Sequence, residues 1–367
     1  MRAVARKFVG GLCATAFVFP VSETVAQTVP VVSLRPANAV LHEEFSRLFG
    51  SAVVRELADG RLLVAEGGRA SRLVVADFQT GVVKAIGAKG QGPGEYTLLF
   101  GIYALPSDST AIIGNDRWLV LSGDRITQTT AGGDVSVSGF DALGQALVML
   151  SGGPFFADSS SLALKSRQRD GMPKTTLAVV RVANFAESGY PPPPERKDGG
   201  IFAYNGPWMG KEGAQLFLDG WLAIVRQNPY RVDWRSPDGK WVNGAPLKVP
   251  VVAVTNREKQ ALMQRIADAS GAVLKDASSF AFWPKHIPPF TIGWPLVAAP
   301  DGTLLVPRTP TADHPEMRYD VINRAGKLER QINIGKADRI LGFGAKSVYV
   351  STTDDDGIQR ISRHPWP

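Results

Sequence analysis

Residues 87–101 read Gly-Ala-Lys-Gly-Gln-Gly-Pro-Gly-Glu-Tyr-Thr-Leu-Leu-Phe-Gly. Five glycines and one proline fall within these fifteen residues. Glycine opens backbone angles closed to other residues, and Pro93 fixes one torsion and removes a donor. A strand-like run precedes the stretch, Gly81 to Ile86, and another follows it, Ile102 to Leu105. The pattern predicts a shaped crossing loop between two sheets. The motif also has an echo. Glu44-Phe45-Ser46-Arg47-Leu48-Phe49-Gly50 matches Glu95-Tyr96-Thr97-Leu98-Leu99-Phe100-Gly101, displaced by 51 positions. A repeat near that period points to a propeller or a solenoid.

Working outward, short strand patterns come in sets. The first set is Ala52 to Leu57, Arg61 to Glu66, Arg72 to Asp77 and Val82 to Ile86. Its breakers, Ala58-Asp59-Gly60, Gly67-Gly68 and Gln79-Thr80-Gly81, suit tight turns. The second set is Gly101 to Leu105, Thr110 to Gly114, Trp118 to Ser122 and Arg125 to Thr130. A third covers 135–182 more loosely, and a fourth runs from Gln215 to Lys248. The fifth is Pro295 to Ile334. Its Pro300-Asp301-Gly302 occupies the place of Ala58-Asp59-Gly60, and Asn323 to Gly326 that of Asp77 to Gly81. The sixth, Arg339 to Phe343, Ser347 to Thr352 and Ile358 to Arg363, is one strand short. A ring of sheets leaves exposed edges unless the chain ends share one sheet. The segment Val31 to Leu41 is expected to supply the missing strand. Leu62 to Ala65, Leu304 to Val306 and Val348 to Val350 are apolar on both faces, as sheets covered on both sides require. The expectation is an all-β, six-bladed β-propeller, one domain over 27–367, with insertions at about 185–212 and 251–293.

The second insertion carries the one helix signal. Thr255 and Glu258 form a capping box, Leu262, Ile266 and Ala269 share a face, and Gly271 can end the helix. The first insertion includes Tyr190 to Gly200, a proline-rich surface loop.

The chain has 367 residues, is 44% apolar and carries a formal net charge of +7. Basic residues are scattered, which argues against a nucleic-acid partner. Arg2, Arg6 and Lys7, then Phe8 to Val21, then Thr24-Val25-Ala26 read as a secretory signal peptide cut after Ala26. The apolar run is short and broken for a membrane span, and no later stretch is long and apolar enough. The mature chain then carries +5 and no cysteine, since Cys13 is the only one. Internal disulfides and thiolate metal sites are excluded from it. Export through the Sec route to the periplasm or beyond is expected.

The junction Gly90-Gln91-Gly92-Pro93-Gly94-Glu95-Tyr96, followed by Gly101-Ile102, resembles that of NHL-type repeats. The chain is similar to secreted bacterial six-bladed β-propellers whose junction reads G-x-G-P-G-E-[FY]. Leu57 to Ala65 and Gly342 to Val350 resemble other strands of that group, so the resemblance covers blades one, two, five and six. It implies the fold and export. It implies no single activity: such propellers serve as binding scaffolds and, less often, as lyases or lactonases.

Catalytic patterns are sparse. The four histidines, His42, His286, His314 and His364, are not spaced as metal ligands. His42-Glu43-Glu44 lacks the second histidine of a zinc-protease helix, and no Gly-x-Ser-x-Gly elbow occurs. Asp354-Asp355-Asp356-Gly357 fails the EF-hand spacing and reads as an acidic turn. No cofactor is expected, with calcium the one ion such a turn leaves open. What remains is geometry. Loops joining second to third strands share a face with the blade-to-blade crossings. They hold Glu66, Arg69, Asn115, Asp116, Arg117, Arg226, Asn228, Arg308 and Asp354, and the long crossing adds Trp283 and His286. These are the candidate ligand contacts. Trp208, Trp221, Trp234, Trp241 and Trp294 are read as inter-blade packing. The expected function is a non-catalytic, monomeric scaffold for a protein, peptide or glycan. The alternative is a metal-assisted hydrolase or lyase, lactonase-like or amidating-lyase-like, at the channel mouth.

Overall fold

The computed structural model describes residues 29–45, 48, 53–67, 71–115, 117–131, 136–151, 159–167, 173–183, 208, 212–270, 277–280, 283–290, 295–335, 338–354, 356 and 358–366. The signal-peptide reading, the proline-rich loop, Gly271 and Trp294 lie outside them.

Alternating turns and apolar runs fold into six four-stranded antiparallel sheets. Blade one is Val54–Glu56, Leu62–Glu66, Arg72–Ala76 and Val83–Ala85. Blade two is Leu99–Ala104, Ser109–Gly114, Arg117–Ser122 and Arg125–Ala131. Blade three is Ser136–Phe140, Gln145–Ser151, Ser159–Arg167 and Pro173–Ala183. Blade four is Gly213–Leu216, Leu222–Gln227, Tyr230–Arg235 and Trp241–Val242. Blade five is Val297–Ala298, Leu304–Pro307, Met317–Ile322 and Leu328–Gly335. Blade six takes Arg339–Phe343, Ser347–Thr353 and Gln359–Pro365 from the C-terminus. The first strand of each blade touches the first strand of the next, and the sixth touches the first, so the ring is closed.

The packing explains the doubly apolar runs. Among the described residues, buried apolar side chains form six clusters, one per blade interface. In the strand Leu62–Glu66, Leu62 and Val64 pack toward blade six while Leu63 and Ala65 pack toward blade two. No blade has a solvent face to spare, so alternation gives way to continuous hydrophobicity. The turns are set by short acceptors: Asp59 Oδ1 accepts the Arg61 N–H at 3.0 Å, and Asp301 Oδ1 the Thr303 N–H at 2.9 Å. Both turns join first to second strands, as their matching sequences require. Asp77 and Asn323 do the same between third and fourth strands.

The glycine loop is a shaped crossing between two sheets, from blade one to blade two. Ala88–Lys89 pairs in parallel with Glu95–Tyr96, and the Gly92 N–H reaches Glu95 Oε2 at 2.6 Å. Gly87 has φ +66°, and a Cβ there would meet the Gly94 carbonyl oxygen at 2.5 Å. The echo is structural as well. Tyr96 and Leu99 are buried between blades one and two, and Phe45 and Leu48 between blades six and one. Each aromatic is thus buried at one of two successive blade interfaces.

Closure is more extensive than the sequence suggested. Ala39–Val40 forms the missing outer strand of blade six, paired antiparallel with Arg363 and Ser362. Val31–Ser33 goes elsewhere, as a parallel fifth strand on blade five beside Gln331–Asn333. One short segment thus edges two neighbouring blades. Among the described residues no helix is long and apolar enough to cross a membrane.

Candidate functional site

The crossing from blade four to blade five folds on the expected face. A short hairpin, Val252–Ala253 against His286–Ile287, brackets a helix, Asn256–Ser270. Thr255 caps the helix by accepting the Glu258 N–H at 3.4 Å. Glu258 does not complete the reciprocal half of the box. Its buried carboxylate accepts the Ala312 N–H at 2.8 Å, in the loop between the second and third strands of blade five. Three further contacts hold the crossing to that loop. Arg265 donates to the Pro310 carbonyl at 3.2 Å, Arg257 pairs with Asp313 at 2.6 Å, and the Thr309 N–H meets the Pro289 carbonyl at 3.4 Å. Leu262 and Ile266 are half-buried, so polar clamps supplement a partial apolar seat.

Trp283 is the hub of this insertion. Its ring meets Trp208 at 5.6 Å and Phe280 at 5.3 Å, its Nε1 donates to the Ala277 carbonyl, and the Lys259 ammonium sits 5.2 Å from its centroid. The last distance is in cation–π range. Lys285 and His286 are exposed, His286 on the adjoining short strand and Lys285 just before it. Behind the platform, blades four and five share a polar core. The Tyr230 hydroxyl donates to Asp320 Oδ2 at 2.8 Å, and Gln331 Nε2 donates to Oδ1 at 2.7 Å. Arg308 Nη1 stands 3.5 Å from the same carboxylate, and its guanidinium lies over the Tyr230 ring. Burial, with the Asp320 charge beside it, pushes the Tyr230 hydroxyl well above its ordinary pKa.

The other expected contacts are not gathered into one pocket. Glu66 is buried and takes the Arg72 guanidinium at 2.9 Å, while Arg72 also holds Glu43 at 2.7 Å and ties the incoming chain to blade one. Arg117 donates to the Gln91 and Gly92 carbonyls, so it clamps the glycine loop. Asn115 is exposed beside it. Arg226 bridges Glu212 at 2.7 Å and Asp233 at 3.1 Å and donates to the Arg181 carbonyl, tying blade three to blade four. Asn228 is exposed at the tip of a two-residue hairpin, before a cis Pro229. Asp354 Oδ1 accepts the Ile358 N–H at 2.8 Å and serves its own turn. Arg69 and Asp116 lie outside the described residues. The site therefore reduces to the insertion, with Trp283 and His286, and the Arg308 region beneath it.

Sequence reasoning missed Tyr230, Asp320, Glu258 and Arg265 as parts of this assembly. Asp320 had a signal: an acid in the otherwise largely apolar strand Met317–Ile322, at a position that shares its face with Ile322, toward blade four. Of the tryptophans, Trp234 is buried between blades four and five with Trp221 packed against it. Trp241 is a correction: its strand is the outer edge of blade four, and the side chain is 46% exposed.

No family model matches the chain, and no curated protein matches it. It is similar to solved structures. A member of the DUF4221 family from Bacteroides vulgatus is 11% identical over 90% of this chain and 99% of that one, with a TM-score of 0.48. The calcium-binding protein regucalcin from Agrobacterium tumefaciens is 10% identical over 92% and 97%, with a TM-score of 0.46. Virginiamycin B lyase from Staphylococcus aureus is 10% identical over 86% and 80%, with a TM-score of 0.39.

Proposed function

We propose that this propeller is an exported binding scaffold, and that its ligand, a protein, peptide or glycan, docks on the face carrying the 251–293 insertion. The observation that carries this reading is the four-point clamp. Glu258, Arg265, Arg257 and Pro289 fix the insertion to the blade-five loop 308–316. A segment held this way is a preorganised platform, and preorganisation lowers the entropic cost of binding. It offers an aromatic, cation-bearing surface of Trp283, Lys259, Lys285 and His286. The NHL-like junction and the leader-like residues 1–26 belong to the same reading, as features of secreted propellers.

The test uses the full mature chain against peptide and glycan arrays. Trp283 supports its surroundings, so the informative variant is the exposed pair Lys285→Ala with His286→Ala. It is expected to weaken an array hit at least tenfold, while Trp241→Ala on the blade-four edge leaves it unchanged. Equal affinity in both variants removes the insertion from the account. A stoichiometric metal ion surviving dialysis, with turnover that depends on it, replaces the scaffold by the metal-assisted hydrolase or lyase.

A further inference from the structure

The N-terminal segment leaves blade five at Ser33 and joins blade six at Ala39. Residues 34–38 bridge the gap between them. Beneath this strap lies a cleft of about 480 Å³. Asn333, Gly335 and Asp338 line it from the blade-five side, and Thr352, Ser362 and His364 from blade six. The cleft lies where blades five and six meet, whereas the insertion packs where blades four and five meet.

Two of its polar groups satisfy each other. His364 Nδ1 lies 2.8 Å from the Arg35 carbonyl oxygen, which can only accept, so Nδ1 carries a proton. Its Nε2 lies 2.8 Å from Ser362 Oγ. A neutral ring accepts the Ser362 hydroxyl. A cationic ring donates to it, and the hydroxyl turns to the Val350 carbonyl at 3.3 Å. In both states the ring pins the strap.

Asp338 is different. It makes no hydrogen bond or ion pair among the described residues, yet it is half-buried. Burial raises its pKa, and the nearby His364 only partly opposes this. Its Oδ2 rests over Gly335, at 3.0 Å from where a Cβ would stand, and Gly335 has φ +107°. Only glycine lets the carboxylate lie there. A desolvated carboxylate with no donor is costly, and a charged donor removes that cost. Two neighbours are also unspent. The Thr352 hydroxyl has no described partner, and Asn333 uses Oδ1 on the Gly335 N–H at 3.1 Å, leaving its NH₂ group.

We propose that this cleft binds a small primary amine, its ammonium group held by Asp338 and its polar remainder by Thr352 and Asn333. The volume falls within the range of small-molecule sites. It suits an amino acid, an amino sugar or a short diamine.

The experiment is calorimetric titration of the full mature chain with L-lysine, D-glucosamine and putrescine. At least one is expected to bind, and its N-acetylated form to bind at least tenfold more weakly. Asp338→Asn is expected to lose binding at least tenfold with an unchanged circular-dichroism spectrum. The acetylation comparison uses the unaltered protein, so it decides the matter even if Asp338→Asn fails to fold. No binding by any of the three amines at millimolar concentration overturns the proposal. So does equal binding of the acetylated form, equal binding by a folded Asp338→Asn, or binding of calcium chloride in place of the amines. None of these results bears on the insertion platform.

Discussion

The Tyr230 hydroxyl in blade four donates to the Asp320 carboxylate in blade five at 2.8 Å, and both side chains are buried. This bond crosses an interface otherwise built from Trp234, Val306 and Ile322. Asp320 is fully closed to solvent, so each of its acceptors must be met from within. Tyr230→Phe leaves Oδ2 facing Arg308 alone, at 3.5 Å. A hydrogen bond to a charged group contributes about 2 kcal/mol, and Tyr230→Phe is expected to cost that much in a urea denaturation series. Asp320→Ala strands Arg308 and Gln331 together and is expected to cost more, roughly 3–5 kcal/mol. A Tyr230→Phe midpoint equal to the unaltered protein's, at equal m-value, removes the bond from the account of this interface.

Alkaline pH tests the same burial. Tyr96, Tyr230, Tyr319 and Tyr349 all have hydroxyl pKa values pushed up, with burial the leading cause in each. Below pH about 10 an unfolded tyrosine keeps its proton, and folded and unfolded states bind equally many. Above it the unfolded chain releases protons that the folded chain retains. The unfolded state then binds fewer protons, so stability falls as pH rises. Each such tyrosine steepens that fall by at most about 1.4 kcal/mol per pH unit. Stability measured from pH 9 to 11 is expected to be flat and then to drop, and Tyr230→Phe to shallow the drop. A slope unaltered by Tyr230→Phe means that residue titrates as if exposed.

The blades were legible because their physics is local. Apolar runs bounded by Asp-Gly turns reveal strands, and the 51-residue echo places Phe45 and Tyr96 at like positions. The site was less legible, because its parts meet only in the fold. Glu258 has the spacing of a capping box, and nothing near it says that its carboxylate prefers the Ala312 N–H. Arg226 and Arg117 look like free cations on loops. In the fold, one neutralises Glu212 and Asp233 while the other grips two carbonyls of the glycine loop. Asp233 lies across the same hairpin from Arg226, but Glu212, the Arg181 carbonyl and the glycine loop come from outside the strand pairs that carry the two arginines, beyond the reach of a local spacing rule. Val31–Ser33 looks in the sequence like part of a single closing strand, because a parallel pairing on blade five leaves no pattern distinct from an antiparallel one on blade six.

The crossing loop makes a sharp prediction at Gly87. Its φ of +66° is strained for other residues, and a Cβ there would press on the Gly94 carbonyl. Gly87→Ala is expected to cost roughly 1–3 kcal/mol. Gly60, also at positive φ but with nothing within 4 Å of a Cβ, supplies the comparison. Gly60→Ala carries the backbone strain alone and is expected to cost less. Equal losses at the two sites mean that the contact with Gly94 relaxes freely.

Ring closure can be tested at Leu41, which follows the strand Ala39–Val40. Its N–H bonds to the Ile361 carbonyl at 2.9 Å, and its side chain is buried among Val54, Val64 and Tyr349. Leu41 therefore joins both chain ends to the core between blades six and one. Removing its side chain opens a cavity where the N-terminal segment meets the C-terminal sheet. Leu41→Ala is expected to cost about 2–5 kcal/mol. Val40 lies one residue earlier, at the end of that strand, with its side chain exposed. Val40→Ala is expected to change stability by no more than about 0.5 kcal/mol. The contrast separates burial at the closure from strand propensity, because both residues belong to one short segment. If closure holds the ring, Leu41→Ala should also raise amide exchange in Gln359–Pro365, the strand it releases, before blades two and three. Exchange rising uniformly around the ring would mean that the propeller unfolds as one unit and that the zipped chain ends are no weaker than any other interface.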